Sequence, residues 1–270
     1  MPPRPNFVAC TDPEAIPPVV RTRRGRRTLA FESGDVQSEM LLARPWALAL
    51  QYTRAMMCFT LFVPRPRHIL MVGLGGGSLV KYCHRHFPNC RITVVELRAD
   101  VIALRDTFMV PPDDARLRVL HADAVDHVHT LAARGARPYD VMLVDGFGAE
   151  GLPPALAGPD FYRACRALLQ DGGVLVANVF TYDPRYRIVM EALDRVFGGR
   201  ICWFDKAAGN NRIVFALHAD EAADAGRLTA LHRQQWLARR RGLGLGWLNR
   251  MGVRLVLAWI AWRSVLVQPH

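Results

Sequence analysis

The sequence predicts an α/β protein built on a doubly wound, mostly parallel sheet. Short apolar, β-branched runs recur along the middle of the chain, with the length and composition of strands buried on both faces. Helix-like stretches separate successive runs, the alternation expected of βα units. The first run, His68–Val72, leads into a turn carrying Gly73, Gly75, Gly76 and Gly77 before the next helix begins. With 270 residues the chain can hold one large domain of this kind and short additions.

Taken in order, residues 1–28 are rich in proline and arginine and are expected to be poorly ordered. Residues 29–66 form an entry region, in which FESGDVQSEM suggests a strand and turn and WALALQYTRAMMCFTLF a packed helix. The α/β domain is expected over 67–218. After His68–Val72 come a helix to about His86, a strand at Arg91–Glu96 and a helix at Val101–Phe108. Leu117–His121 reads as the third strand, Ala124–Ala133 as a helix and Tyr139–Asp145 as the fourth strand. A helix at Phe161–Leu169 is expected to stop at Gly172-Gly173, followed by a strand at Val174–Asn178 and a helix at Arg187–Phe197. Two last strands, Ile201–Phe204 and Arg212–Leu217, flank a turn and suggest an antiparallel edge hairpin.

Residues 219–270 are expected to form a basic helical extension containing Trp247, Trp259 and Trp262. Arg250, Arg254 and Arg263 interrupt its apolar stretch, whereas a membrane-spanning helix needs about 20 mostly apolar residues. An interfacial amphipathic helix stays open. Packing against the body or a second subunit is the preferred expectation.

The net charge of +11 is concentrated at the ends. Residues 1–30 carry six arginines against two acids, and residues 226–270 carry eight arginines and no carboxylate, so the body between them is near neutral. Such ends suit a solvated tail, an acidic partner, an anionic membrane surface or nucleic acid. Nucleic acid is not expected, because the run Arg23-Arg24-Gly25-Arg26-Arg27 lacks the interleaved aromatics on which bases stack. The six cysteines form no C-x-x-C pair, and the histidines near them complete no zinc pattern, so no metal is expected. Free cysteines and an N-terminus without a signal-like apolar core fit a cytoplasmic protein.

The glycine-rich turn has the strand before it and the helix after it that a nucleotide-binding loop requires. Glycines let backbone approach a ligand, and the helix start offers free N–H groups and partial positive charge. Glu96 ends the next strand, 19 residues beyond Gly77, where an acid can accept hydrogen bonds from ribose hydroxyls. The absence of a G-K-[ST] sequence argues against a nucleoside triphosphate and leaves a dinucleotide open. Asp123, with Ala124 beside it, follows the third strand, where it could read an adenine amine or cap the next helix. Asp145 stands at the carboxyl end of the fourth. In open α/β sheets ligands sit beyond the carboxyl ends of the strands, so Gly75, Glu96, Asp123 and Asp145 are expected on one rim.

The ordered series GLGGGSL, VVE, HADA, YDVMLVDGF and GPDFYRACRALLQDGGVLVAN is similar to the polyamine aminopropyltransferase (spermidine synthase) family, from about Phe31 to Asn178. Five βα units and a terminal hairpin likewise resemble the class I methyltransferase arrangement. That resemblance implies a Rossmann-like, mostly parallel seven-stranded sheet with an antiparallel C-terminal hairpin and helices on both faces. The aminopropyltransferase resemblance implies that Asp145 is the base that takes a proton from an attacking amine, that Glu96 binds ribose and that Asp123 binds adenine. Gln37 and Tyr52 match positions that line the family's substrate site. The implied ligands are S-adenosylmethionine or its decarboxylated form, used as a substrate, and a small-molecule amine. A homodimer is allowed, since the family associates through its N-terminal region.

The departures are equally specific. Gly76 stands where the family loop has an aspartate, Gly148 where a second aspartate follows the catalytic one, and Tyr52-Thr53-Arg54 where the family has Tyr-His-Glu. Glu150 could replace one of the missing acids. Three functions follow: an aminopropyl or related alkyl transferase, a methyltransferase using ordinary S-adenosylmethionine, and a nucleoside-binding scaffold.

Overall fold

Alternate side chains of β4 (His68–Val72) enter two different cores: Ile69 and Met71 pack into one, Leu70 and Val72 into the other. The same division holds along β7 (Tyr139–Val144), with Val141 and Leu143 on one side and Met142 and Val144 on the opposite side. A strand buried on both faces needs helices on both faces, and the computed structural model has them. It describes residues 16–31, 36–146, 151–208 and 210–218. On one face lie α1 (Gln51–Met56), a 3-10 turn at Met57–Leu61, α2 (Ser78–His86) and α3 (Ala99–Ala103). On the other lie α4 (Ala124–Ala133), α5 (Pro154–Ala157), α6 (Pro159–Leu168) and α7 (Tyr186–Val196).

The main sheet has seven strands in the order β6-β5-β4-β7-β8-β10-β9. The remaining members are β5 (Arg91–Glu96), β6 (Leu117–His121), β8 (Leu169–Phe180), β9 (Ile201–Ala208) and β10 (Asn211–Leu217). Neighbours from β6 through β8 pair in parallel, and β10 runs antiparallel to both β8 and β9. The last strand is therefore inserted between β8 and β9, and only β9 of the expected edge hairpin lies at the edge. Three strands, β4, β5 and β6, have the bounds that the sequence places.

Three elements differ from expectation. Gly172-Gly173 does not stop a helix but lies within β8, where the register with β7 shifts between Tyr139 and Val141. A side chain at Gly173 would come 2.8 Å from the Gln170 carbonyl and 3.0 Å from that of Asp140, so the close strand approach needs glycine. Helix α3 ends at Ala103, not Phe108, because the chain then turns and Phe108 gives its carbonyl to Lys81. The arginine-rich segment expected to be poorly ordered forms a hairpin over part of its length, β1 (Val19–Arg23) and β2 (Arg26–Ala30). Arg24 and Gly25 both take positive φ, the geometry of a two-residue hairpin turn. Leu29 is fully buried in the core, Val20 packs against it, and Arg27 donates to the Thr107 carbonyl. With β3 (Val36–Leu41) these strands make a three-stranded antiparallel sheet that lies beside the glycine loop. The expected extension at 219–270 lies outside the described residues.

Candidate active site

The carboxyl ends of β4, β5, β6 and β7 open into a cleft of about 1180 Å3, open solvent included. Gly73, Gly75, Glu96, Asp123, Ala124 and Asp145 line it, together with Gln37 and Tyr52 from the N-terminal side. The strands are locked at this rim by backbone bonds: Gly73 N donates to Val95 O and Asp145 N to Val72 O, each at 2.9 Å. Gly73 has φ +92° and sits so close to the Asp145 carbonyl that a side chain would overlap it.

Glu96 is buried, and both of its oxygens accept from backbone: Leu74 N at 2.7 Å and Arg98 N at 2.9 Å. Burial raises its pKa, and the two N–H groups oppose that rise. Its carboxylate thus ties the glycine loop to the end of β5, while the remaining lone pairs can still accept from a ligand. Asp123 caps α4, accepting from Val125 N at 2.6 Å and Asp126 N at 3.4 Å through one oxygen.

Asp145 stands at the meeting point of two clefts. The second, about 920 Å3 on the same measure, lies across Gln37, Tyr52 and Asp145 from the first and extends over Asn178, Asn211 and Tyr182. Asn178 Nδ2 donates to Asp145 Oδ1 at 2.8 Å, and Asn211 Nδ2 donates to Asn178 Oδ1 at 2.9 Å. The second bond orients the first, because an amide whose oxygen is held by Asn211 must present its nitrogen to Asp145. The Tyr52 hydroxyl donates to the Gln37 carbonyl at 3.1 Å and lines both clefts with Asp145. Burial lifts the Asp145 pKa above the usual carboxylate range, and the Asn178 amide and the nearby Tyr52 hydroxyl restrain that lift. Burial and the adjacent carboxylate also push the Tyr52 phenol upward, so it stays a donor.

The other glycines of the loop face away from the cleft. A side chain at Gly76 would come 2.6 Å from Ser38 Oγ and 2.9 Å from the Phe108 ring, and Gly77 packs against Val110. The space that a loop aspartate would need is thus filled by β3 and the chain after α3. Beneath the loop, buried Lys81 donates to Gly76 O at 3.0 Å and Phe108 O at 2.7 Å, with Met40 Sδ at 3.1 Å. Burial pushes its amine down to about 7. Arg54, where the resemblance expects an acid, donates to the Leu48 carbonyl at 2.7 Å and that of Ala49 at 3.4 Å, so its charge serves the chain reversal before α1. Glu150 lies outside the described residues. Among those residues no group of three or more His, Cys, Asp or Glu could hold a metal ion, and no helix is long and apolar enough to cross a membrane.

Sequence reasoning missed Asn178, Asn211, Ser38 and Lys81. A polar residue ending the apolar run VLVAN was a signal for Asn178, and one of only two lysines on a helix that is otherwise largely buried was a signal for Lys81. Nothing local marks Asn211 or Ser38, which reach the site through strand pairing.

The sheet order and the rim at the end of β4 place the chain among proteins of the class I methyltransferase fold. The crystal structure of a probable spermidine synthase from Corynebacterium glutamicum superposes with TM-score 0.64 at 17% identity, over 94% of this chain and 92% of that one. Human methyltransferase-like protein 13 in complex with SAH superposes with TM-score 0.62 at 24% identity, over 82% of this chain and 95% of that one. At these identities the two structures speak for the fold. Residues 49–188 match the spermine/spermidine synthase domain. A polyamine aminopropyltransferase from Chromobacterium violaceum is 37% identical over 205 residues, 75% of this chain and 77% of that protein. The chain belongs to the spermine/spermidine synthase family of transferases.

Proposed function

We propose that this protein transfers an aminopropyl or related alkyl group from an S-adenosylmethionine-derived sulfonium to a small-molecule amine. The observation that carries it is Asp145: a carboxylate at the junction of two clefts, oriented by Asn178 and with its pKa raised above the ordinary range. A base between two substrates is what the chemistry asks for. The amine nitrogen attacks the carbon beside the sulfonium, the carbon–sulfur bond breaks, the thioether leaves neutral, and Asp145 accepts the proton lost by nitrogen. The protein's contribution is alignment of the two reactants and removal of that proton.

In this assignment the cleft at the ends of β4 to β7 holds the nucleoside, with Glu96 toward the ribose and Asp123 and Ala124 toward the adenine. The second cleft, over Asn178 and Asn211, holds the amine, reached past Gln37 and Tyr52. We place the enzyme in a reducing cytoplasm, in keeping with the free, buried thiols of Cys58, Cys83, Cys90 and Cys165.

One observation favours a second reading, methyl transfer from ordinary S-adenosylmethionine: Ser38 and Phe108 occupy the space of a loop acid that would hold an aminopropyl ammonium. The released nucleoside separates the two. Incubation with decarboxylated or ordinary S-adenosylmethionine and a panel of amines should yield amine-dependent methylthioadenosine, read by mass. Production of S-adenosylhomocysteine instead would establish methyl transfer, and neither product with tight nucleoside binding would leave a scaffold.

A further inference from the structure

Arg98 follows Glu96 by two positions, and its side chain turns back onto the N-terminal strands. Its guanidinium is forked onto Asp100, Nε to Oδ1 at 3.0 Å and Nη2 to Oδ2 at 2.6 Å, which fixes its plane. Nη2 also donates to the Ile16 carbonyl at 2.8 Å. The guanidinium carbon lies 4.7 Å from the centre of the Phe31 ring, within reach of a cation–π contact. Ile16 lies just before β1 and Phe31 just after β2, and these two strands pair from Val19 opposite Ala30. One guanidinium therefore grips both open ends of the β1–β2 hairpin.

That grip sits in the wall of the cleft. Leu29, Phe31, Leu97 and Arg98 line the same space as Glu96, and Leu29 and Phe31 are buried there. Burial raises the Glu96 pKa, while the Arg98 backbone N–H and the Arg98 charge work against the rise. A carboxylate kept ionised can accept from ribose hydroxyls. We infer that Arg98 is a positioning residue for nucleoside binding: it seats Phe31 against the cleft and so makes the hairpin end a wall of the site. A bound nucleoside and a docked hairpin then stabilise each other, because coupling between two equilibria is reciprocal. The inference rests on the cleft at the ends of β4 to β7 being the nucleoside site.

The test titrates methylthioadenosine into the full chain and into Arg98→Met, Arg98→Lys and Phe31→Leu. Arg98→Met should weaken binding about tenfold, the scale of one lost charge-assisted contact, and raise the donor KM with kcat little changed. Arg98→Lys keeps the charge but can neither fork onto Asp100 nor lie flat on the ring, so it should recover only part of the loss. Combining Arg98→Met with Phe31→Leu should lose less than the product of the single losses, because the two side chains act as one unit. Hydrogen exchange needs no substitution: methylthioadenosine should slow the amides of β1 and β2 in the wild type, and not in Arg98→Met. Wild-type affinity in Arg98→Met, or hairpin exchange that ignores a nucleoside bound to the wild type, overturns the inference alone. A wild type that binds neither methylthioadenosine nor either donor refutes the nucleoside reading itself, and the inference falls with it.

Discussion

Asp145 meets two opposed demands: a general base must be ionised to work, yet burial favours its neutral form. Asn178 reconciles them by donating at 2.8 Å to one oxygen, which favours the charged state while leaving the other oxygen for the substrate. Activity should fall as pH drops through the raised Asp145 pKa, giving an acidic limb above the ordinary carboxylate range. Asn178→Leu removes the donor and should move that limb to higher pH in a kcat/KM profile, whereas Asp145→Asn should lose most turnover and keep nucleoside affinity. A limb unmoved by Asn178→Leu would mean that another group titrates. At Gly76 the prediction is steric. Gly76→Asp forces the new side chain against Ser38 and Phe108, so thermal unfolding should show a loss of about 1–3 kcal/mol, typical of overpacking, with no gain in rate on the decarboxylated donor.

Two buried ions hold the elements around the glycine loop together. Glu96 joins that loop to β5 through two backbone N–H groups. In Glu96→Gln one of them must face an amide NH2, which should cost about 1–3 kcal/mol of stability, the usual penalty for an unsatisfied buried donor. Methylthioadenosine affinity should weaken more than kcat, as titration and saturation kinetics would reveal. Lys81 clamps α2 to the loop and to the turn after α3. Its folded pKa of about 7 lies below the ordinary 10.5, so between those values the unfolded chain binds more protons and the lysine's contribution to stability rises with pH. Lys81→Met removes the titration without changing the volume much. The stability of the wild type relative to this variant should therefore grow from pH 7 toward pH 10 in denaturant melts; a constant difference would mean that Lys81 does not titrate there.

At the scale of the whole molecule, strand order makes the base. Because β10 is inserted beside β8, Asn178 pairs opposite Ile213 and Asn211 opposite Phe180, which brings the two amides together on one sheet. A sheet with β9 next to β8 would separate them. Asn211→Ala should act through Asn178, moving the acidic limb in the same direction as Asn178→Leu but less far, without changing nucleoside affinity. An equal loss of affinity would assign Asn211 to the nucleoside cleft instead.

Local sequence determined most of the sheet and one half of the site. Runs such as RITVVE and LRVLH are apolar enough to be strands in any compact arrangement. Gly73, Asp123 and Asp145 each follow a strand and Glu96 itself ends β5, so the topology of an open α/β sheet carries them to one rim. Tertiary structure decided what depends on contacts between distant segments. The pairing of Arg26–Ala30 with Val36–Leu41 brings Ser38 against Gly76, and the insertion of β10 supplies Asn211. The buried Lys81 amine finds partners in Met40 and in the Phe108 carbonyl, both far from it along the chain. Propensity and periodicity describe a residue's own neighbours along the chain. The partners that orient Asp145 and fill the place of a loop acid lie dozens of residues away, and folding alone brings them there.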